Sequence, residues 1–181
     1  MGLQPRRRVQ IVMLGSGHPN LEDALNRANE EHPDFFRGVV KFSEGLAHRI
    51  IAGSDILLMP SRFEPCGLNQ MYALRYGTVP VACATGGLRD TIDDVSPFSQ
   101  GDEALGTGWT FPSATPAALV AAVGRAVDVY RDEPKRWRNI QLRGMAQDFG
   151  WSRAARAYEQ VVRLALSGVE AADEAEARVP A

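Results

Sequence analysis

Short apolar runs alternate along the chain with charged, alanine-rich or amphipathic stretches. Val9 to Leu14 reads VQIVML and stops at Gly15-Ser16-Gly17, the pattern of a buried strand ending in a turn. Residues 20 to 31 are charged and alanine-rich and predict a surface helix. Arg37 to Phe42 contains VVKF, a second strand, and Leu46 to Ile51 has helical spacing. Asp55 to Pro60 reads DILLMP and is apolar on successive residues, as expected where helices cover both faces of a parallel sheet. A loop from Ser61 to Cys66 leads into a helix from about Gly67 to Tyr76. Val79 to Ala82 predicts a fourth strand, Thr85-Gly86-Gly87 a turn into further helix, and Trp109 to Phe111 a short fifth strand.

Beyond the fifth strand the pattern turns helical. Thr115-Pro116 combines an N-cap with proline at the first helical position, opening a helix to about Tyr130. Pro134 opens another, to about Met145. Ser152 is the expected cap of a third, in which Ala154, Ala155, Tyr158, Val161, Val162 and Ala165 form one apolar stripe. Residues 168–181 are acidic and alanine-rich and are expected to fray. Residues 1–8 form a lead-in, 9–167 one domain or most of one, and no internal repeat is evident. Strands alternating with helices predict an α/β fold with a Rossmann-like parallel sheet, whose ligands bind beyond the carboxyl ends of the strands.

Composition narrows the chemistry. The chain has 181 residues, 20 basic against 22 acidic, and a net charge of −2. That balance argues against a generic nucleic-acid binder, and no apolar run is long enough to span a membrane. Cys66 and Cys83 are too few for a disulfide scaffold or a cysteine-based zinc site. Lys41 and Lys135 are the only lysines, and neither sits in a glycine-rich loop. HExxH, GxSxG and cysteine clusters are absent, so metal chemistry has no support.

Three loops fall at strand ends: Gly15-Ser16-Gly17, Glu64 to Asn69, and Thr85-Gly86-Gly87. The middle one carries most chemistry. Backbone N–H groups around Gly67 to Asn69 lie at a helix start, where an anion such as a phosphate is favoured. Glu64 ahead of them suits the hydroxyl groups of a sugar, or else acts only as a helix cap. Gly15 and Gly17 begin a dinucleotide-type fingerprint, but Asn20 replaces its third glycine, and a tight turn is the plainer reading. Gly86 and Gly87 either admit a ligand to the backbone or simply make the turn. His48 is expected to be structural.

At SRFEPCGLNQ, residues 61–70, the pattern becomes specific. With YALRYGTVP at 72–80, GGLRDT at 86–91, GWTF at 108–111 and the stretch from Arg143 to Trp151, it resembles the starch and glycogen synthases. The resemblance runs from about Val9 to Arg163, and the LNQ and GLRDT wording is closer to the plant and algal soluble starch synthases than to bacterial enzymes.

Several expectations follow from that resemblance. The family fold is GT-B, two Rossmann-like domains facing a cleft, and this chain is similar to most of the C-terminal, donor-binding one. The activity implied is retaining transfer of glucose from ADP-glucose to the non-reducing end of an α-1,4-glucan. ADP-glucose is then a substrate, no cofactor is needed, and the partners are a starch, amylopectin or glycogen acceptor and the absent N-terminal domain. Glu64 would bind the donor glucose; Cys66, Gly67, Leu68 and Asn69 would surround that glucose and the distal phosphate. Phe42 would stack on adenine, Tyr72 stands where related enzymes have a second glutamate, and Gly86, Gly87, Gly15 and Gly17 would line the cleft. The family's first C-terminal strand–helix unit is missing; its strand would lie between those at Val9–Leu14 and Asp55–Pro60. The 181-residue chain alone is therefore expected to be poorly folded and inactive, a truncated nucleotide-sugar-binding fragment. A plant or algal member would work in the plastid stroma and a bacterial one in the cytoplasm.

Overall fold

A computed structural model describes residues 9–95 and 105–176, with side chains described to residue 167. Within them lie β1 (Ile11–Gly15), α1 (Pro19–Glu31), β2 (Phe36–Val40), α2 (Glu44–Ala52), β3 (Ile56–Met59), α3 (Asn69–Tyr76) and β4 (Val79–Cys83). They continue with α4 (Gly86–Thr91), β5 (Trp109–Phe111), α5 (Pro116–Asp132), α6 (Pro134–Ala146) and α7 (Trp151–Glu176). The order is that of a Rossmann-like α/β fold, and every strand pairing is parallel.

The expected single sheet is divided in two. β1 pairs with β2, and β3-β4-β5 form a second sheet. Among the described residues β1, β2, β3 and β5 each pair along one edge only. On β1, Ile11, Val12 and Met13 are all exposed, so this apolar run is not buried as its pattern predicts.

The core belongs to the second sheet. All five residues of β4 are buried. Val79, Val81 and Cys83 pack with Trp109 and Phe111 of β5 and with Ala122, Ala126, Trp137 and Ile140 of α5 and α6. Trp137 stacks on Trp109 with ring centroids 5.8 Å apart and makes a T-shaped contact with Tyr130 at 5.0 Å. On the other side, Ala82 and Met59 meet Leu88 and Ile92 of α4 and its exit. Burial on both faces explains the unbroken apolar run of β4, whereas β3, read from its pattern as covered on both faces, leaves Leu58 exposed and buries only Met59 fully. Pro80 is tolerated within β4 because the pairing with β5 starts only at Val81.

Helix boundaries follow local chemistry. Ser43 caps α2 by accepting from the Leu46 N–H, and Thr115 caps α5 through the Ala118 N–H, with Pro116 next. Gly77 ends α3 in the left-handed conformation at φ 80°. α3 begins at Asn69, two residues later than the spacing predicts, and α7 begins at Trp151 ahead of the expected cap Ser152. The backbone of α7 enters the acidic stretch expected to fray. Residues 1–8, 96–104 and 177–181 lie outside the described residues. None of the described helices is long and apolar enough to cross a membrane.

Candidate functional site

Two backbone segments at the carboxyl ends of β3 and β4 lie directly on each other. The Gly87 N–H donates to the Glu64 carbonyl at 3.1 Å. A Cβ at Gly86 would fall 2.0 Å from the Glu64 carbonyl oxygen, and one at Gly87 would fall 2.1 Å from that of Cys66. Only residues without side chains permit this approach. Gly86 also holds φ +43°, in the region that favours glycine. The pair is thus required for the two loops to meet, which turn-making alone would not demand.

The Glu64 loop then enters α3 without a side-chain cap. Gly67 has φ +73° and Leu68 is right-handed, which turns successive N–H groups toward one concavity at the positive end of the helix dipole. The Glu64 carboxylate, half-buried, makes no hydrogen bond or ion pair with a described residue and does not cap α3. A carboxylate acceptor and a row of N–H donors therefore share one end of the sheet. This arrangement can hold an anion and, beside it, a group rich in hydroxyls.

Of the residues predicted from sequence, Glu64, Cys66, Gly67, Gly86 and Gly87 come together here, with Leu68 and Asn69 leading into the helix. Cys66 is exposed, and its thiol hydrogen-bonds only to the neighbouring Gly67 carbonyl at 3.5 Å. Tyr72 lies one turn into α3, with its ring 4.7 Å from that of His48 on α2. His48 Nδ1 is also 3.1 Å from the Tyr76 hydroxyl. This clasp between α2 and α3 accounts for His48 as a structural residue, as expected.

Phe42 follows the end of β2 and is 90% exposed, so it is free to stack on a ligand and contributes nothing to the core. Gly15 and Gly17 sit at the end of β1 and around the turn into α1, where the Gly17 N–H donates to Glu22 at 2.7 Å. A Cβ at either would meet nothing within 4 Å, so no close approach explains these glycines. They are the weakest of the candidates.

Sequence reasoning missed Gln70 and Thr91. Gln70 is fully buried, and its Nε2 donates to the carbonyls of Cys66 and Gly67 and to the Thr91 hydroxyl. Its signal was a glutamine on the buried stripe of α3, in register with Ala73 and Leu74. Two groups elsewhere have displaced pKa values. The Asp55 carboxylate raises that of the Tyr130 hydroxyl, and burial, with Arg136 nearby, lowers that of the Arg143 guanidinium. Among the described residues no group of three His, Cys, Asp or Glu side chains could hold a metal ion.

The chain is similar to several known proteins. Soluble starch synthase 2-2 of Oryza sativa subsp. japonica is 54% identical over 154 residues, covering 85% of this chain and 22% of that protein. The glycogen synthase of Anaeromyxobacter dehalogenans (strain 2CP-C) is 55% identical over 157 residues, covering 87% of this chain and 32% of that protein. Plant and bacterial relatives thus stand at nearly equal identity, which does not reproduce the plant-like leaning of the motifs. The catalytic domain of starch synthase IV from Arabidopsis thaliana, solved with ADP and acarbose, aligns with TM-score 0.76 and 34% identity over 87% of this chain and 32% of that one. The chain therefore spans between about a fifth and a third of the length of these relatives. The sequence profile described as "Glycosyl transferases group 1" matches residues 3–128, and the chain belongs to that family.

Proposed function

We propose that this chain is the nucleotide-sugar-binding half of an α-1,4-glucan synthase. The whole enzyme would move glucose from ADP-glucose to the non-reducing end of a starch or glycogen chain, with retention at the anomeric carbon. The bond from that carbon to the distal phosphate oxygen breaks, the acceptor 4-hydroxyl oxygen bonds to the carbon and gives up its proton to the departing phosphate oxygen, and ADP leaves. This is a substitution without electron transfer, so the nucleotide sugar enters as substrate and no cofactor is invoked.

The observation that carries this reading is the Glu64 carboxylate, without a partner among the described residues, ahead of the uncapped N-terminus of α3, with Gly86 and Gly87 packed on its loop. The N–H groups of residues 67–69 would take the distal phosphate and Glu64 the glucose hydroxyls. Phe42 would stack on adenine, while Tyr72 would stand at the ribose. The relatives' names and the ADP and acarbose in the Arabidopsis structure support this donor and acceptor class. In a plant or alga the enzyme would work in the plastid stroma, and in a bacterium in the cytoplasm.

In the full-length enzyme, Glu64→Ala is expected to slow glucosyl transfer by roughly a hundredfold, the loss of about 3 kcal/mol of transition-state contact. Near-normal turnover by a folded variant refutes the assignment. By itself the chain should be inactive, because the one-sided pairing of β1 and β3 leaves strand edges open to aggregation. Primer-dependent incorporation of labelled glucose by a monodisperse 181-residue product would contradict that.

A further inference from the structure

We propose that Gln70 and Thr91 are positioning residues that hold the donor loop in its binding conformation. The proposal rests on the reading above and adds to it two side chains that need not touch the donor.

Gln70 has no exposed surface, yet its amide is committed to the backbone of the loop. Nε2 lies 2.9 Å from the Cys66 carbonyl, 2.9 Å from the Gly67 carbonyl and 3.2 Å from Thr91 Oγ1. Thr91 in turn donates its hydroxyl proton to the Gly87 carbonyl at 2.6 Å, leaving a lone pair to accept from Gln70. The amide offers two N–H groups to these three acceptors, so one N–H is shared between two of them. Turning the amide over would set its oxygen against two carbonyls. Through these bonds one buried side chain ties the Cys66–Gly67 segment to the turn containing Gly86 and Gly87.

The tie determines where the opposite sides of the peptides point. In a trans peptide the C=O and the following N–H are antiparallel. Holding the Cys66 carbonyl therefore aims the Gly67 N–H away from Gln70, and holding the Gly67 carbonyl does the same for the Leu68 N–H. These N–H groups form the concavity that would receive the donor phosphate. A buried latch presets them, so the ordering cost is met on folding and not on each binding event. Gln70 Oε1 has no partner among the described residues, a penalty carried by a side chain whose two N–H groups are both in use.

The test uses the full-length protein with Thr91→Val, Gln70→Leu and the conservative Thr91→Ser. Amide hydrogen exchange reads the latch directly at the Gly87 N–H, which bonds to Glu64. Calorimetry with ADP and steady-state kinetics read its consequence. In Thr91→Val, exchange at Gly87 should accelerate by about tenfold or more, while Val81 in the core stays protected. ADP affinity should fall and the donor KM rise by roughly tenfold, with a smaller change in kcat. Thr91→Ser should restore both, which a general loss of packing would not do. A folded Thr91→Val or Gln70→Leu protein with unchanged exchange overturns the latch. Faster exchange with unchanged ADP affinity and KM overturns its positioning role. If the wild-type protein binds no sugar nucleotide or ADP, the proposed function and the donor role fail together, and exchange alone then judges the latch.

Discussion

Gly87→Ala isolates the contact between the two loops. Gly87 is buried and its φ is not positive, so the added methyl acts through space alone. Its Cβ would lie 2.1 Å from the oxygen, 2.6 Å from the Cα and 2.7 Å from the carbonyl carbon of Cys66. Ordinary contact is about 3.4 Å or more, so the loop must retreat by more than about 1 Å. All three obstructing atoms are backbone, and Gln70 tethers the same carbonyl at 2.9 Å, so no flexible tip can give way. Overpacking of this kind costs about 1–3 kcal/mol, and loss of the Gly87–Glu64 hydrogen bond adds about 1 kcal/mol. A 1 Å displacement of binding groups costs roughly a hundredfold in rate. Incorporation of labelled glucose into a glycogen primer by the full-length variant, assayed well below its melting temperature, should therefore fall about a hundredfold. A stable variant with kcat/KM near the wild-type value refutes the inference that the two loops must touch for the site to work.

Phe42→Ala should weaken ADP binding by about 1–3 kcal/mol, the scale of base–aromatic stacking, while leaving the melting temperature nearly unchanged because the ring is 90% exposed. Equal calorimetric affinities would remove Phe42 from the site. Gly124→Ala, within α5 and with nothing inside 4 Å of the new Cβ, should stabilise the protein by about 0.5–1 kcal/mol. A fall in denaturation midpoint would contradict that packing.

Much of this architecture is legible in the residues. The apolar run of β4 marks a strand covered on both faces, and Thr115-Pro116 marks the start of α5 because cap and proline act locally. The Glu64 loop is legible through its pairing of a carboxylate with glycine at a helix start. Other features depend on distant partners. VQIVML reads as buried, yet β1 is exposed, since periodicity reports what a strand is suited to cover and not which neighbour is present. Gly86 and Gly87 look like any turn until their backbone is seen against Glu64 and Cys66. Gln70 interrupts the buried stripe of α3, but its partners include Thr91, 21 residues away, and nothing local announces that bond. The α3 start shifts to Asn69 because Gly67 adopts positive φ, which starts the helical run two residues later than its spacing suggests.

The central claim is that Glu64 and the start of α3, braced by Gly86 and Gly87, hold the sugar and phosphate of a nucleotide-sugar donor. The most direct measurement is a crystal structure of the full-length protein with ADP-glucose. A distal-phosphate oxygen is expected within about 3 Å of the Gly67 or Leu68 nitrogen and a glucose hydroxyl at the same distance from the Glu64 carboxylate. A well-ordered donor bound elsewhere, with these N–H groups and Glu64 left to solvent, would contradict it.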